Sequence, residues 1–145
     1  RAPSTFYSEP EKVRRLFPNF VEVEKAYFQK TNIFPIMHVV AIRRDVYEEN
    51  RWIAQALYKA FAEAQRLTHE QLLVSASLKT MLPWQIAAVE ETIATMGKAW
   101  WPYGVGKNRH VIETFARSHP EEALSPRRLT VEEMFPPETF AEFKI

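Results

Sequence analysis

Apolar residues recur at helical spacing in several stretches of the 145-residue chain. Residues 20–29 carry a short apolar stripe opposite a charged face, which predicts an amphipathic helix that ends before Thr31 and Asn32. Residues 46–73 carry the longest stripe and follow Asp45, which has capping-box-like spacing to Glu48. The pattern therefore predicts that the longest helix of the protein begins just after Asp45. Its buried face is predicted to hold Val46, Ile53, Leu57, Phe61, Ala64 and Leu67.

Two further helices are predicted in the second half of the chain, because proline and glycine stand at their expected ends. The first has Pro83 in its opening turn and Gly97 at a left-handed C-terminal cap. The second begins near Asn108 and stops by His119, because Pro120 disfavours helical geometry in the residue before it. This helix is predicted to bury Val111, Ile112 and Phe115, and a capping box of Thr130 with Glu133 predicts a short final turn that Pro136 and Pro137 restart.

Residues 33–42 break this helical pattern with a continuous apolar run that is rich in β-branched side chains. Such a run is typical of a buried strand, and we predict one from residue 34 to residue 43 with His38 as its single polar interruption. Helix, strand and then several helices describe the closing part of an α/β lobe. The predicted fold class is therefore α/β and helix-rich.

Composition narrows the class of protein without identifying a function. Hydrophobic residues make up 46% of the chain and aromatic residues 13%, enough for one core of ordinary domain size. Nineteen Lys and Arg against 18 Asp and Glu leave a net charge of +1, with no basic stripe, so nucleic acid is not an expected partner. The absence of a long apolar run gives no membrane span, and the absence of cysteine favours a cytoplasmic location. The four histidines have no metal-ligand spacing, so no metal site is predicted.

The chain begins at Arg1 rather than at a methionine, within a stretch that contains Pro3 and Ser4. We therefore expect it to be a fragment or a processed product. Part of an active site would then lie on residues outside this sequence, and a homo-oligomer formed by exchange of elements is a further possibility.

The most unusual stretch covers residues 97–110 and contains all three glycines of the chain together with Trp100 and Trp101. Glycine permits close backbone approach and tryptophan offers a flat apolar face, so the stretch suits the wall of a pocket for an aromatic ligand. A tight interhelical loop pinned into the core by one of the tryptophans is an equally good interpretation. The P-loop ending and the third Rossmann glycine are both missing, which excludes nucleotide binding.

His38, Arg43 and Arg44 are the other residues with possible chemistry. A histidine in a buried strand is more often hydrogen-bonded scaffolding than a proton carrier, although imidazole moves protons best near neutral pH. Either arginine has the planar fork that grips a carboxylate, and one of them is expected to pair instead with Asp45 or Glu48.

Four segments together resemble the C-terminal part of the 4,5-dihydroxyphthalate decarboxylases. They are RLFP at residues 15–18, IFPIMH to IRRDVY at 33–47, WPYGV at 101–105 with the following Asn108 and Arg109, and PRRLTVEE at 126–133. The resemblance implies a two-lobed fold like that of type II periplasmic binding proteins. In that fold residues 1–32 would end one lobe, residues 33–45 would form a crossover strand, and residues 46–145 would form the helical closing part.

The resemblance also implies a reaction, the decarboxylation of 4,5-dihydroxyphthalate to protocatechuate in phthalate degradation. The departing carboxylate lies para to a hydroxyl, so no metal or organic cofactor is required in principle. The small aromatic carboxylate needs a cation, an acid/base pair and an apolar slot. From chemistry and motif position we assign Arg43 or Arg44 as the carboxylate clamp, His38 or His110 as the proton carrier, Tyr103 as a phenol partner, Trp101 as the stacking wall and Asn108 as a further substrate-binding residue.

A ligand-binding receptor is the alternative function, because related lobes capture small molecules without changing them. A signal peptide or a lipoprotein cysteine in the full gene product would favour the receptor. If the chain is part of a two-lobed protein, apolar side chains that face the other lobe should be exposed here or covered by a neighbouring chain, with Trp100 or Trp101 among the candidates.

Overall fold

The computed structural model describes residues 2–140, which are rich in α-helix and contain no β-strand. The prediction of a helix-rich chain is confirmed, whereas the α/β class is not. By its internal contacts the chain divides after Ile33 into two compact units. The helices are α1 (Ser4–Ser8), α2 (Phe20–Thr31), α3 (Arg44–Glu49), α4 (Trp52–Leu72), α5 (Gln85–Met96), α6 (Val105–Glu121) and α7 (Val131–Met134), followed by a 3₁₀ turn (Pro137–Thr139).

The first unit contains α1 and α2, and its second helix confirms the predicted amphipathic segment. Asn32 ends α2 in the left-handed conformation with φ of 54°, and its N–H donates to the Phe28 carbonyl at 2.6 Å. Asparagine tolerates this conformation better than most residues, which is why the helix stops there. The Arg15 guanidinium lies 4.5 Å from the ring centre of Phe20 and 5.7 Å from that of Phe6.

The predicted strand at residues 34–43 is wrong. The segment has no regular secondary structure, and most of its side chains are exposed, including Val39 at 66% and Met37 at 60%. A strand needs a neighbouring strand for its backbone hydrogen bonds, and residues 2–140 provide none. β-branched residues favour a strand only where a sheet exists to receive it.

The longest predicted helix is present but divided in two. After α3 the chain passes through Asn50, whose φ of −139° and ψ of 61° are not helical, and α4 then runs for 21 residues. The Arg43 backbone is extended at the start of α3, and the side chains of Asp45 and Glu48 do not form the predicted capping box. The predicted buried face is also incomplete, since Phe61 is 42% exposed and Leu67 is 46% exposed.

Helix α5 confirms the predicted position of its cap. Gly97 follows the helix with φ of 84°, and its N–H donates to the Ile93 carbonyl at 2.8 Å. Its φ lies in the region that glycine occupies most readily, so the helix ends there. No helix within residues 2–140 combines the length and the apolar character that a membrane crossing requires.

Helix α6 starts earlier and ends later than its sequence indicated. It begins at Val105 and continues past Pro120 to Glu121. The proline is tolerated because it stands in the last turn, where only one residue of helix follows it. The prediction that this helix buries Val111 and Ile112 is confirmed, but Phe115 is 58% exposed and its ring lies 5.0 Å from the ring of His119.

The packed core of the second unit is small and lies between α6 and the last turns. Val105, Ile112 and Val131 are each at most 6% exposed and pack with neighbouring partly buried side chains. The predicted capping box at Thr130 and Glu133 is present in both directions and fixes the start of α7 beside this core. The partly buried side chains in this core are Met134, Phe135 and Phe140.

Candidate functional site

The loop before α6, residues 100–104, is held against one face of α4 by three side chains. Tyr58 stacks on Tyr103 with ring centres 5.6 Å apart and planes 20° from parallel. Gln65 Nε2 donates to the Trp101 carbonyl at 2.5 Å, and His69 stacks on Trp100 at 4.3 Å and 22°. The three α4 residues therefore hold most of the loop. We call residues 100–104 the aromatic loop.

Gly104 allows the closest approach between the aromatic loop and α4. Its φ is 98°, and an added Cβ would overlap the Tyr58 hydroxyl and lie 2.8 Å from Tyr58 Cζ. The same Tyr58 hydroxyl donates to the Tyr103 carbonyl at 3.4 Å. Glycine is thus required here both by its backbone conformation and by the tyrosine that packs on it.

Asn108, assigned from the sequence as a substrate-binding residue, braces the aromatic loop instead. It is 9% exposed, and its Nδ2 donates to the Pro102 carbonyl at 2.8 Å and to the Gly104 carbonyl at 2.9 Å. Both hydrogens of the amide nitrogen are used by these bonds. The amide group holds the turn that leads into α6.

Trp101 fits both interpretations of residues 97–110, the tight interhelical loop and the wall of a pocket. Its carbonyl accepts a hydrogen bond from Gln65 on α4, whereas the residue is 45% exposed and its ring lies 5.7 Å from the Phe34 ring at 53°. Phe34 is itself 37% exposed. The loop is therefore fixed by α4 and also presents aromatic surface to solvent, as a stacking wall requires.

Tyr103 is only partly exposed, and burial together with the neighbouring Tyr58 raises its pKa above the usual value. A phenol with a raised pKa stays protonated at neutral pH. It is then a hydrogen-bond donor rather than a base.

The two arginines predicted as carboxylate clamps differ in their partners. Arg43 makes a two-point contact with Asp45, from Nε at 2.6 Å and from Nη2 at 2.7 Å. This bond raises the pKa of Arg43 and lowers that of Asp45. Arg44 is more weakly held, with Nη1 3.9 Å from Glu48 and 88% of its side chain exposed. Both pairings agree with the alternative that the sequence left open.

Neither candidate proton carrier lies in a core. His38 belongs to the exposed segment 34–43 rather than to a buried strand, so its predicted scaffolding role is wrong. His110 is exposed on α6, where its carbonyl accepts from Thr114 at 2.8 Å. Within residues 2–140, Arg43 and Arg44 make no hydrogen bond, ion pair or ring contact with Tyr103.

The three α4 residues that hold the aromatic loop were not predicted from the sequence. Tyr58, Gln65 and His69 stand seven and then four residues apart, a spacing that places them on one face of a helix. The apolar stripe of α4 was used to predict a buried face that does not include these three positions. The row of polar and aromatic residues on the longest helix was the pattern that could have indicated these contacts.

A second polar cluster joins the α3–α4 turn to the last described turn. Tyr47 Oη donates to Glu138 Oε2 at 2.7 Å, and Arg51 lies 3.7 Å from the same carboxylate and 5.5 Å from the Tyr47 ring. The hydrogen bond raises the pKa of Tyr47 and lowers that of Glu138. The cluster fastens residues 137–139 to the helical unit.

A shallow cavity of about 200 Å³ lies between α6 and the approach to α7. The two carboxylates that line it, Glu132 and Glu113, are already paired with Arg109, at 2.7 Å and 3.2 Å. None of the residues assigned to the reaction lines this cavity, so we place the candidate site at the aromatic loop. The cavity is lined by Glu113, Ala116, Arg128, Leu129, Thr130, Val131 and Glu132.

Comparison with known proteins supports the resemblance seen in the motifs. The chain is 34% identical, over its whole length, to a 4,5-dihydroxyphthalate decarboxylase of Comamonas testosteroni. It spans 44% of the length of that protein, as expected for a chain that corresponds to one part of such an enzyme. No family model matches the sequence.

Proposed function

We propose that the protein carrying this chain is a carboxy-lyase that converts 4,5-dihydroxyphthalate to protocatechuate and carbon dioxide. The observation that carries the proposal is the 34% identity over the whole chain to a protein named for that reaction. The aromatic loop adds support, because it combines a fixed backbone with an exposed indole ring at Trp101.

The chemistry asks for few groups. The carbon that loses its carboxylate lies para to a hydroxyl, so electrons from the phenolate oxygen raise the basicity of that carbon and a general acid protonates it. The bond to the carboxylate then breaks, its electron pair restores the aromatic ring, and carbon dioxide leaves. One proton is taken up for each carbon dioxide released.

In this proposal the aromatic loop binds the substrate ring. The exposed face of Trp101, beside Phe34, supplies apolar surface for stacking and for exclusion of water from the departing group. Tyr103, whose pKa is raised, donates a hydrogen bond to a substrate oxygen and is not the base.

Between the two arginines, Arg44 is the better clamp for the retained carboxylate. The Nε and Nη2 groups of Arg43 already bind Asp45, and a substrate would have to compete with that two-point contact. Arg44 faces a single carboxylate at 3.9 Å, which a substrate displaces at little cost. His38 and His110 remain the two candidates for the proton carrier.

The proposal is tested with the full-length gene product in chelator-treated buffer. Incubation with 4,5-dihydroxyphthalate should yield protocatechuate and carbon dioxide in equal amounts, measured by chromatography and by isotope release from a labelled carboxylate. Phthalate, which lacks both hydroxyls, is the matched control and should not react because it cannot supply the phenolate electrons.

Three results would change the assignment. Binding of 4,5-dihydroxyphthalate with no carbon dioxide release would contradict the proposal and favour the receptor. If the enzyme is active, His38→Gln and His110→Gln identify the proton carrier, because only the true carrier should lower kcat, by about a hundredfold. Normal kcat in both variants would place the proton carrier outside this sequence.

A further inference from the structure

The connection between α4 and α5 exposes an unusual amount of apolar side chain. Met81 is fully exposed at 101%, Trp84 is 80% exposed and Leu82 is 62% exposed. Residues 73–84, which we call the apolar loop, contain Lys79 as their single charged residue. A surface loop is normally rich in small polar residues, whereas this one presents apolar side chains to solvent. Its other exposed apolar residues are Leu73, Val74 and Leu78.

The apolar loop is nevertheless held in shape at its base by polar contacts. Gln85, only 5% exposed, donates from Nε2 to the Leu72 carbonyl at 3.2 Å and accepts from Thr80 N at 3.0 Å and Thr80 Oγ1 at 2.7 Å. Lys79 Nζ donates to Gln71 Oε1 at 2.5 Å. Lys79 and Thr80 are thus bound at the base of the loop, and the apolar side chains are left exposed.

An ordered apolar patch of this kind marks an interaction surface. A single lysine gives little attraction to an anionic membrane surface, so lipid is a poor match. The length comparison favours another part of the same polypeptide, because the chain spans 44% of the Comamonas testosteroni protein to which it is similar. More than half of a protein of that length is therefore available to cover this surface.

We propose that the apolar loop docks onto the part of the polypeptide that a full-length protein of this kind has and this sequence lacks. Met81, Leu82 and Trp84 are the side chains that become buried there. The docking proposal rests on the extent of the similarity and not on the proposed reaction. An experiment that contradicts one of the two proposals therefore leaves the other unaffected.

Methionine oxidation measures this burial directly. The 145-residue chain and the full-length gene product are treated with hydrogen peroxide, and sulfoxide at Met81 is followed by peptide mass spectrometry. Oxidation follows exposure, so Met81 should react at least about tenfold more slowly in the full-length protein. Equal rates in the two proteins would overturn the proposal.

A pair of matched substitutions provides a second measurement. Leu82 and Leu124 are the same residue type and are exposed to 62% and 64%, but Leu124 stands in a different connection, after α6. Leu82→Glu should lower the melting temperature of the full-length protein and leave that of the 145-residue chain unchanged, whereas Leu124→Glu should change neither. A dimer of the 145-residue chain that Leu82→Glu dissociates and Leu124→Glu does not would overturn the proposal in favour of a second copy.

Discussion

Two of the second-unit segments that carry the decarboxylase resemblance have sharply different surroundings. The aromatic loop, residues 100–104, is fixed by stacking and hydrogen bonds from α4 and by the buried amide of Asn108. Segment 34–43 has no regular structure, and most of its side chains are exposed. Its Phe34 ring reaches Trp101, but His38 stands on exposed backbone.

The aromatic loop and segment 34–43 represent two kinds of motif, one packed within this chain and one left exposed. The aromatic loop is packed within this chain, because α4 and Asn108, which support it, belong to the same sequence. Segment 34–43 has an apolar composition that the second unit does not bury. The resemblance alone does not distinguish the two kinds.

The largest loss of stability is expected from a substitution at Gly104, where the aromatic loop approaches α4 most closely. Gly104→Ala forces a left-handed backbone on alanine and drives a methyl group into the Tyr58 hydroxyl. We expect the free energy of unfolding to fall by about 3 kcal/mol, the sum of the conformational cost and the overpacking cost. Chemical denaturation followed by circular dichroism measures it.

Gly97→Ala is the matched control for that change. Gly97 has a similar φ of 84°, but nothing lies within 4 Å of an added Cβ. Only the conformational cost of about 1 kcal/mol should remain. Equal losses in the two variants would show that the contact between Tyr58 and the aromatic loop contributes little.

The bracing amide gives the next largest effect. Asn108→Ala removes two hydrogen bonds and leaves the Pro102 and Gly104 carbonyls without that partner, which should cost about 2 kcal/mol. His38→Ala in the exposed segment should change stability by less than about 0.5 kcal/mol. A loss at His38 as large as that at Asn108 would mean that segment 34–43 is packed in solution.

Local signals predicted the parts of the fold that depend on neighbouring residues. The cap at Gly97 and the capping box at Thr130 and Glu133 are settled within a few residues of the chain, and both are present. The strand at residues 34–43 was predicted from composition, although a strand also needs a partner that composition does not supply. Pro120 was taken as a stop because the rule ignores how near the helix end lies.

The candidate site was predicted less completely than the fold. Trp101 and Tyr103 were assigned because the three glycines of the chain fall beside two of its tryptophans, and their roles stay predictions. Tyr58 and His69 were not found, since contacts between residues about 30 to 45 positions apart leave no local pattern. The bracing contacts of Asn108 were not predicted, because its type and position do not reveal which carbonyls its amide reaches.

The carboxylate clamp provides a kinetic test in the full-length gene product. Arg44→Lys keeps the positive charge but loses the planar fork, so KM for 4,5-dihydroxyphthalate should rise by about tenfold with kcat little changed, as for uniform binding. Arg43→Lys should have a smaller effect on KM, because Asp45 already occupies that fork. Steady-state kinetics on the two variants decide between them, and a larger rise for Arg43 would reverse the assignment.

The smallest expected effect is a pH dependence at the other end of the aromatic loop. Burial lowers the pKa of His69, whose ring stacks on Trp100. The unfolded chain therefore binds the proton more readily than the folded chain. Stability from the neutral ring is fully present above the unfolded pKa of about 6.5 and is lost as pH falls through the lower folded pKa.

His69→Phe keeps an aromatic ring against Trp100 but cannot be protonated, so the loss of melting temperature between pH 7 and pH 5 should be smaller in this variant. If His69→Phe and the parent chain lose the same stability on acidification, the stacked imidazole is not what couples the aromatic loop to pH.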